Sequence, residues 1–557
     1  MALTRRNFVR AAGLAGAAGS GALLAGCARG AVDSGANEPV AAGAAGAGVG
    51  PDGVSQVVIT MTPSSEPAAG FDPLVGWGAG EHVHEPLIQS TLIATDNNLA
   101  FVNDLATDYG CSEDGLTWTF HIREDVMFTD GVPLTAEDVA FTINGIVNGE
   151  AAEADLSMVD EARAVDATTC EIAMKRPNNA LLYTLAVVGI VPAHAYGPDY
   201  GEHPIGSGRY MLEQWDRGQQ VILRANPDYY GDAPLMDRVV VLFVEEDASL
   251  AAAQSGTADV AYTSAALAAA VPAGYALLNC ASVDSRGISL PCNPAGTDVT
   301  VEGDMVYAGG NDVTSDIAVR RALNYGIDRN QMIEHVLAGF GRAAYSVGDG
   351  MPWSSEAMRV ETDVAAAERL LDTAGWARGD DGMRARDGLP CAFDLYYAAG
   401  DSTRQALAYD FADQAGALGI AVEPKGASWD DIYLRQYADP VLWGWGSNSP
   451  VELFELTYST GWGNYAQYTN DTVDANFGKR PQAARTVEES YPFYQAAQWD
   501  AATETGVAPE GAATWVWLAN VDHLYFEREG LKVAEQKPHP HGHGWSLVNN
   551  IDQWSWS

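Results

Sequence analysis

The segment Thr314–Gly341 constrains the fold of this chain more than any other stretch of the sequence. Its apolar side chains recur at roughly helical spacing, which predicts two short helices that meet at a tight corner. Ser315 is expected to cap the first helix, and Asp328 followed by Gln331 forms a capping box for the second. The apolar stretch Arg286–Pro291 predicts a buried strand just before this corner. The sequence therefore predicts a strand, a loop and a helical corner, in that order.

The rest of the chain alternates predicted strands with predicted helices, which is typical of an α/β fold. Thr135 is expected to cap a helix with Asp138 at the capping-box position, so we interpret the acidic stretch Asp108–Ile143 as structural rather than catalytic. The predicted strands are Val54–Thr60, Leu116–Ile122, Arg238–Val244, Gly388–Tyr397, Gly419–Pro424 and Thr514–Asn520. The predicted helices of the later part are Asp363–Gly375 and Asp401–Leu418.

Three separated stretches resemble one known family, the extracytoplasmic solute-binding proteins of peptide, opine and nickel ABC importers (solute-binding family 5). They are VRRALNYGIDRNQMI within Thr314–Gly341, the whole of Asp108–Ile143, and IGSGRYMLEQWDRGQQVILRANPDYYG at Ile205–Gly231. The resemblance extends from Val54 to about Leu547. It implies an α/β, two-lobed periplasmic-binding-protein-like fold of the large, cluster C type, with an extra β-rich subdomain in the first lobe.

The same resemblance implies a division of the chain. Lobe I is expected to comprise residues 54–285 and 521–557, with an inserted subdomain at about 90–200, and lobe II residues 286–520, including both hinge crossings. Such a protein is expected to act as a monomer. It would capture a small solute between its lobes by hinge closure and deliver the solute to an ABC permease and ATPase.

The N-terminus predicts export and a membrane anchor. Arg5 and Arg6, followed by Phe8 and a weakly apolar run, resemble a twin-arginine (Tat) export signal, and Leu23–Cys27 resembles a lipobox whose Cys27 receives the lipid. The alternative is an ordinary Sec signal with a chance cysteine. Residues 1–27 are thus expected to be a lipoprotein signal peptide, and residues 28–53, rich in Gly and Ala, a flexible linker.

Charge and cysteine content exclude several classes of protein. The chain carries 31 Lys and Arg against 74 Asp and Glu, a formal net charge of −43. Such a surface repels nucleic acid and anionic lipid, and we exclude both as partners. The five cysteines after Cys27 form no CxxC motif, which argues against a metal framework or a disulfide scaffold. Cys280 and Cys292 could pair, but free buried thiols are the better interpretation.

The segment Val441–Tyr465 is the first candidate for ligand contacts. It offers aromatic faces beside small polar groups, which is how a cleft combines stacking with hydrogen bonds. In dipeptide-binding relatives an acidic residue near this point holds the amino group of the peptide, whereas this chain has Ser447-Asn448-Ser449. The alternative is that the tryptophans form the lobe core. The candidate residues are Trp443, Trp445, Ser447, Asn448, Trp462 and Tyr465.

Two further groups of residues are candidates for the ligand site. Arg404 lies in the first turn of a predicted helix, where the family resemblance implies an arginine that grips a ligand carboxylate. The alternative is a surface arginine paired with an aspartate. Trp77, Glu81 and His82 lie where relatives line the first lobe's side of the cleft, and a capping cluster is the alternative.

The C-terminal stretch KPHPHGHGW contains three histidines that alternate with Pro and Gly. An extended backbone would place His539, His541 and His543 on one face, and three imidazoles form most of a zinc, copper or nickel site. The alternative is an ordered loop in which the histidines only form hydrogen bonds. The nickel-binding relatives use a histidine within the segment matching Ser459–Tyr468, and this chain has none there.

Taken together, these features predict the substrate-binding component of an ABC importer, with an oligopeptide or peptide-like compound as the leading ligand. The alternative ligand is nickel or another metal chelate, so a metal would enter only as part of the ligand and no cofactor is expected. A signalling receptor and a secreted metallohydrolase are further alternatives. The chain lacks HExxH and any obvious nucleophile and base arrangement, so we do not expect an enzyme.

Overall fold

Two large β-sheets organise the chain in its computed structural model. The structure describes residues 48, 53–79, 83–149, 151–301, 305–478, 484, 486–542 and 544–557. The predicted signal peptide with Cys27 lies outside the described residues, as does nearly all of the predicted linker. Glu81, His82 and His543 lie outside them as well.

The first sheet has seven strands, six from residues 56–280 and one from residues 523–528. The strand Gln56–Met61 pairs in parallel with Arg238–Phe243 and Val260–Thr263, in the middle of the sheet. Both predicted strands are confirmed here, and their apolar side chains are buried because the sheet is covered on both faces. The order is Tyr275–Cys280, His523–Arg528, Val260–Thr263, Gln56–Met61, Arg238–Phe243, Gln220–Ala225 and Tyr210–Asp216.

The second sheet has six strands from the middle of the chain. Its central strand Ser285–Ser289 runs antiparallel to both Val441–Trp445 and Trp515–Val521. The chain thus enters this sheet through Ser285–Ser289, the first crossing strand, and leaves through Trp515–Val521, the return strand. The order is Gly341–Ala343, Trp515–Val521, Ser285–Ser289, Val441–Trp445, Ala392–Ala398 and Ala421–Ala427.

A four-stranded antiparallel sheet with one helix forms the extra β-rich part. Its strands are, in order, Ala106–Cys111, Thr117–Ile122, Thr169–Met174 and Val159–Ala164, and its helix is Ala136–Asn148. Asp138 accepts a hydrogen bond from the backbone N–H of Thr135 at 2.8 Å, and Thr135 caps the helix. The capping box is therefore present, so Asp138 has the structural role that the sequence predicts.

Shorter elements complete the described fold. The remaining strands are Ile93–Thr95, Phe101–Asn103, Val299–Val301, Met305–Tyr307, Ala377–Arg378, Arg384–Arg386, Leu389–Pro390, Trp499–Asp500, Thr505–Gly506, Leu531–Lys532 and Ser555–Trp556. The other α-helices are Leu181–Leu185, Glu246–Ser255, Ile317–Gly326, Arg329–His335, Val364–Thr373, Ser402–Ala417, Trp429–Arg435, Val451–Thr457, Asp471–Phe477 and Val487–Gln498. The 3-10 helices are Pro63–Ser65, Glu356–Met358 and Trp545–Gln553. Among the described helices, none is long and apolar enough to cross a membrane.

The five cysteines after Cys27 are free thiols, so Cys280 and Cys292 do not pair. Burial raises the pKa of Cys170, Cys280 and Cys391 to about 12. These three thiols therefore act as small apolar core groups, as the sequence predicted.

The predicted helical corner is present as the helices Ile317–Gly326 and Arg329–His335. Asp328 caps the second helix by accepting from the N–H of Gln331 at 3.0 Å. The predicted cap of the first helix is wrong by one residue. Asp316 accepts from the N–H of Ala318 at 2.8 Å. Its carboxylate, rather than the hydroxyl of Ser315, therefore satisfies the first amide of the helix that has no partner within the helix.

Buried polar side chains tie the corner to the return strand. Arg329 donates through Nε to the carbonyls of Trp517 at 2.7 Å and Ala344 at 3.2 Å. Asn324 donates to the carbonyl of Trp515 at 3.0 Å. Burial lowers the pKa of Arg329 to about 10, so it stays charged at neutral pH. A charged side chain here satisfies carbonyls that would otherwise be buried without a donor.

Replacing Arg329 by methionine should therefore destabilise the protein strongly. Since Arg329→Met leaves several buried carbonyls without donors, we expect the free energy of unfolding to fall by about 3 kcal/mol. Arg369→Met is the matched control, because the side chain of Arg369 is 68% exposed. Urea unfolding of both variants measures the difference, and equal stability of the two would contradict this role.

Candidate functional site

A cavity of about 1350 Å³ lies between the two large sheets and the β-rich part. The first sheet contributes the end of its strand Val260–Thr263 and the turn at Thr62–Ser64, and the second contributes the strand Val441–Trp445. The helix Val451–Thr457 closes another side. This volume exceeds the roughly 300–1,000 Å³ of most ligand pockets, so it leaves room for a small solute or a short peptide.

An aromatic wall forms the second lobe's side of the cavity. Trp443 stacks on Tyr465 with ring centroids 4.2 Å apart and on Trp429 at 5.8 Å. Trp445 lies 5.4 Å from Trp462. Trp443 and Trp445 are two residues apart on the strand Val441–Trp445, so their rings lie on the same face of the sheet. The wall, defined as Trp429, Tyr433, Trp443, Trp445, Tyr458 and Trp462, offers flat apolar faces to a bound molecule.

The two tryptophans of the strand differ in their polar ends. The indole N–H of Trp443 donates to the hydroxyl of Ser289 at 3.0 Å. The indole N–H of Trp445 is buried and has no acceptor among the described residues. A buried donor without an acceptor is costly, and a ligand oxygen would satisfy it.

Arg404 reaches the cavity from the first turn of the helix Ser402–Ala417. Asp401 caps this helix by accepting from the N–H of Arg404 at 2.7 Å, and its carboxylate also binds the guanidinium. The guanidinium lies 5.4 Å from the ring centroid of Trp429. Arg404 therefore pairs with Asp401, as the alternative held, but it is buried rather than on the surface, and it lines the cavity.

A buried charge cluster closes the inner end of the cavity, where the chain passes between the sheets. Asp284 is fully buried, binds the guanidinium of Arg286, and lies 3.1 Å from Nε2 of His523 and 2.6 Å from Nδ1 of His541. Burial raises the pKa of Asp284, but the charge of Arg286 and the hydrogen bonds with His523 and His541 outweigh it and bring that pKa well below its ordinary value. Asp284 therefore remains an anion that joins the crossing strand to the tail.

His539 and His541 of the C-terminal tail both contact this cluster. His539 joins the first crossing by two backbone hydrogen bonds, to Ala281 at 2.9 Å and from Val283 at 2.8 Å, and its Nδ1 lies 3.1 Å from Nδ1 of His523. His541 faces Asp284 instead, so the expected shared face of the two is not formed. No group of three or more His, Cys, Asp and Glu side chains that could hold a metal is present in the described part of the chain.

The structure brings together six of the sequence-predicted ligand or metal residues. They are Arg404, Trp443, Trp445, Ser447, Trp462 and His541, all of which line the cavity. Tyr465 lies behind this lining, stacked on Trp443. The amide of Asn448 donates to the carbonyl of Pro538 at 3.1 Å, which draws it away from the lining towards the tail.

Trp77 is placed differently from the expectation. It is buried in the first lobe, 4.7 Å from Phe71, 4.3 Å from His84 and 4.9 Å from Trp545, measured between ring centroids. It is not among the described lining residues. Trp77 therefore packs as a core residue, as large rings often do, and not at the cleft position that the resemblance implied. The other two candidates of this group, Glu81 and His82, lie outside the described residues.

Sequence reasoning missed several lining residues. Trp429 and Tyr433 come from a short helix that no family motif marks, and Arg286 was interpreted only as the start of a strand. The sequence does contain one sign of a role for Arg286. It is a charged residue at the start of an otherwise apolar predicted strand, and a buried charge needs a partner or a function.

Comparisons with known proteins agree with this arrangement. The family model for bacterial extracellular solute-binding proteins, family 5 Middle, matches residues 100–466. Protein XP55 of Streptomyces lividans is 34% identical over 500 residues, which cover 86% of this chain and 85% of that protein. The chain belongs to the family 5 bacterial extracellular solute-binding proteins. The family predicted from the sequence is therefore confirmed.

Solved structures show the same fold as this family 5 protein. NikZ from Campylobacter jejuni in complex with Ni(L-His) superposes with a TM-score of 0.75 at 22% identity, covering 90% of this chain and 99% of that one. AppA from Bacillus subtilis in complex with a nonapeptide gives 0.69 at 21% identity, with 90% and 99% covered. The predicted α/β, two-lobed periplasmic-binding-protein-like fold is confirmed.

The contrast between the two strand tryptophans of this family 5 protein can be measured. Trp443→Phe and Trp445→Phe remove the same ring atoms, but only the first breaks a hydrogen bond. We expect the free energy of unfolding of the solute-free protein to fall about 1 kcal/mol further for Trp443→Phe. Chemical unfolding of both variants is the test, and an equal or larger loss at Trp445 would show that its indole N–H already has an acceptor.

Proposed function

We propose that this protein is the substrate-binding component of an ABC importer and captures an oligopeptide or peptide-like compound between its lobes. The observation that carries the proposal is the large cavity between two sheets joined by two crossing strands. Aromatic faces and hydrogen-bonding groups from both sides would hold a solute in a closed form. The permease and ATPase would then recognise that form.

We propose that the hinge divides the chain into lobe I, residues 54–285 and 521–557, and lobe II, residues 286–520. The two crossings support this division. The chain leaves the first sheet after Cys280 and enters the second at Ser285, and it returns between Val521 and His523. Few residues thus need to change conformation for the lobes to approach each other.

Similarity to peptide-binding relatives supports a peptide ligand. The oligopeptide-binding protein AppA of Bacillus subtilis is 25% identical over 444 residues, which cover 73% of this chain. The acid that holds the amino group in dipeptide-binding relatives is replaced here by Ser447-Asn448-Ser449. Glu452 and Glu455 line the cavity on the helix that follows, and we propose that they attract the amino group instead.

A nickel or other metal chelate is the second candidate ligand. The nickel-binding periplasmic protein of Escherichia coli is 25% identical over 375 residues, or 64% of this chain. The stretch Ser459–Tyr468 contains no histidine in this sequence, so a chelate would be held mainly by its organic part. In either case the metal would be cargo.

We also propose the cellular setting. Cys27 would carry a lipid that anchors the mature protein to the outer face of the cell membrane after Tat export, and residues 28–53 would form its tether. The protein would work as a monomer. It would perform no chemistry on its solute, because binding and release are all that delivery to a permease requires.

Native mass spectrometry tests the proposed ligand. Protein without its lipid is unfolded, refolded free of bound molecules, and incubated with a tryptic digest of casein or with Ni²⁺ in excess L-histidine. We expect peptide adducts that are lost on denaturation, since the cavity offers aromatic faces and hydrogen-bonding groups suited to a short peptide. Trp462→Ala should weaken them by removing part of the aromatic wall, whereas Leu434→Ala, at an exposed position on a neighbouring helix, should not.

Each other outcome has a definite meaning. Adducts of nickel and histidine alone would replace the peptide by the chelate as the ligand class. Absence of both adducts from a correctly refolded protein would contradict both candidate ligands.

A further inference from the structure

The charges that line the large cavity are strongly unbalanced. The described lining contains eight acidic side chains, and its only Lys or Arg residues are Arg286 and Arg404. Both arginines are already bound to carboxylates, Arg286 to Asp284 and Arg404 to Asp401. Of the eight acids in the lining, seven therefore lie apart from these two pairs. Their summed field makes the interior of the cavity negative.

The seven acids come from both sides of the cleft. In the proposed division of the chain, lobe I contributes Glu153, Asp155, Glu245, Glu246 and Asp522. Lobe II contributes Glu452 and Glu455. All of these except Glu153 and Glu245 are only partly exposed, so water screens their charges less than it does on an open surface. When the lobes approach, like charges face each other across the cavity, and this repulsion opposes closure.

Hydrogen bonds hold acids of both lobes in place at the cavity. The carboxylate of Glu246 accepts from the hydroxyl of Ser264 in its own lobe and from that of Ser402 in the other lobe, the latter at 3.4 Å. In lobe II, Oε2 of Glu452 accepts from the N–H of Gly446 at 2.7 Å. Hydroxyl and amide donors are neutral, so they orient these carboxylates without cancelling their charge.

Two buried polar groups, one from each lobe, indicate a solute that forms hydrogen bonds. The indole N–H of Trp445 and the hydroxyl of Thr263 both belong to residues that line the cavity, and neither group has a partner among the described residues. Trp445 is 6% exposed and Thr263 is 2% exposed. Such groups are costly when they stay unpaired. A peptide backbone offers both carbonyl acceptors and N–H donors, so it suits them both.

The aromatic wall is suited to cationic side chains. Arg404 already lies against it, with its guanidinium 5.4 Å from the ring centroid of Trp429. Aromatic faces attract ammonium and guanidinium groups, most strongly where water is partly excluded. The wall and the acids near it therefore favour the same kind of side chain in a bound solute.

We propose that the cavity selects cationic solutes, namely short peptides with Lys or Arg side chains, which act as counter-ions between the acidic faces of the two lobes. The inference rests on the proposed function, because it names the class of peptide that the same cavity takes. A cationic solute replaces the repulsion between the lobes by attraction to both of them, so it stabilises the closed form. The same charges reject acidic peptides.

Three pentapeptides of equal length test this selectivity: GKAKG, the same peptide with both lysines acetylated, and GEAEG. Acetylation removes the charge of a lysine and keeps its chain. At low ionic strength, solute-free refolded protein should bind GKAKG roughly tenfold more tightly than the acetylated peptide, and GEAEG most weakly. Isothermal titration calorimetry measures the three affinities. Added NaCl should narrow the preference, because salt screens the charges.

A double variant locates the preference in the cavity. Glu246→Gln combined with Glu452→Gln removes one negative charge from each lobe and keeps an acceptor oxygen at each position. The preference for GKAKG over its acetylated form should then fall to about threefold. The matched control combines Glu334→Gln and Glu361→Gln, which removes the same charge from exposed positions outside the lining. It should keep the full preference. The comparison is a ratio within each variant, so a change in stability does not disguise it.

Equal binding of GKAKG and its acetylated form would refute the selectivity and leave peptide capture intact. A full preference in the Glu246→Gln and Glu452→Gln variant would refute it too, because the preference would then come from the outer surface.

Binding of none of the peptides would instead contradict the proposed peptide function. Cadaverine and its uncharged analogue pentanediol then test the charge selectivity separately, through the thermal unfolding midpoint of the solute-free protein. A higher midpoint with cadaverine alone, lost in the cavity variant and kept in the control, would support the selectivity. Equal midpoints with the two compounds would refute it.

Discussion

The buried ion pair between Asp284 and Arg286 holds the centre of this molecule together. Both side chains are almost completely buried, which costs several kcal/mol unless the charges are fully paired. His523 from the return passage and His541 from the tail supply the further partners of the carboxylate. The backbone carbonyl of Asp284 also accepts from the N–H of Val521 at 2.8 Å. Three separate passages of chain therefore meet at one residue between the lobes.

The same arrangement ties the C-terminal tail to the passages of chain between the two sheets. The N–H of His541 donates to the carbonyl of Gly446 at 2.6 Å, at the end of a strand of the second sheet, while His539 is bound to the first crossing. In the proposed closure, the tail would stay attached to the first crossing and to the end of the strand Val441–Trp445. The same cluster holds Arg286 in the cavity lining, so the passages between the sheets and the shape of the inner cavity depend on each other.

Local patterns predicted much of the fold, and the sequence motifs predicted the family. The strand Arg238–Phe243 and the caps Thr135 and Asp328 follow from residues within a few positions of each other. The cap at Asp316 was missed because Ser315 beside it is an equally good cap by residue type. Neighbouring positions compete for the same amide, and only the backbone geometry decides between them.

The candidate site was less predictable because it is assembled across long sequence separations. The aromatic segment around Trp443 was found from composition alone. Arg286 was missed because the cavity that it lines is formed together with Gly444 and Arg404, both more than a hundred residues away. Trp77 was misplaced since nothing local distinguishes a ring in a cleft from one packed against Trp545. Tertiary packing decides where such side chains lie, and neither periodicity nor motif spacing predicts that packing.

The central claim is that a solute binds between the lobes and draws them together. Small-angle X-ray scattering of the solute-free protein, without and then with a solute it captures, measures this most directly. The account predicts a smaller radius of gyration with the solute bound, because the two lobes would close on the cavity. A bound solute with an unchanged radius of gyration would contradict hinge closure as the mechanism of capture.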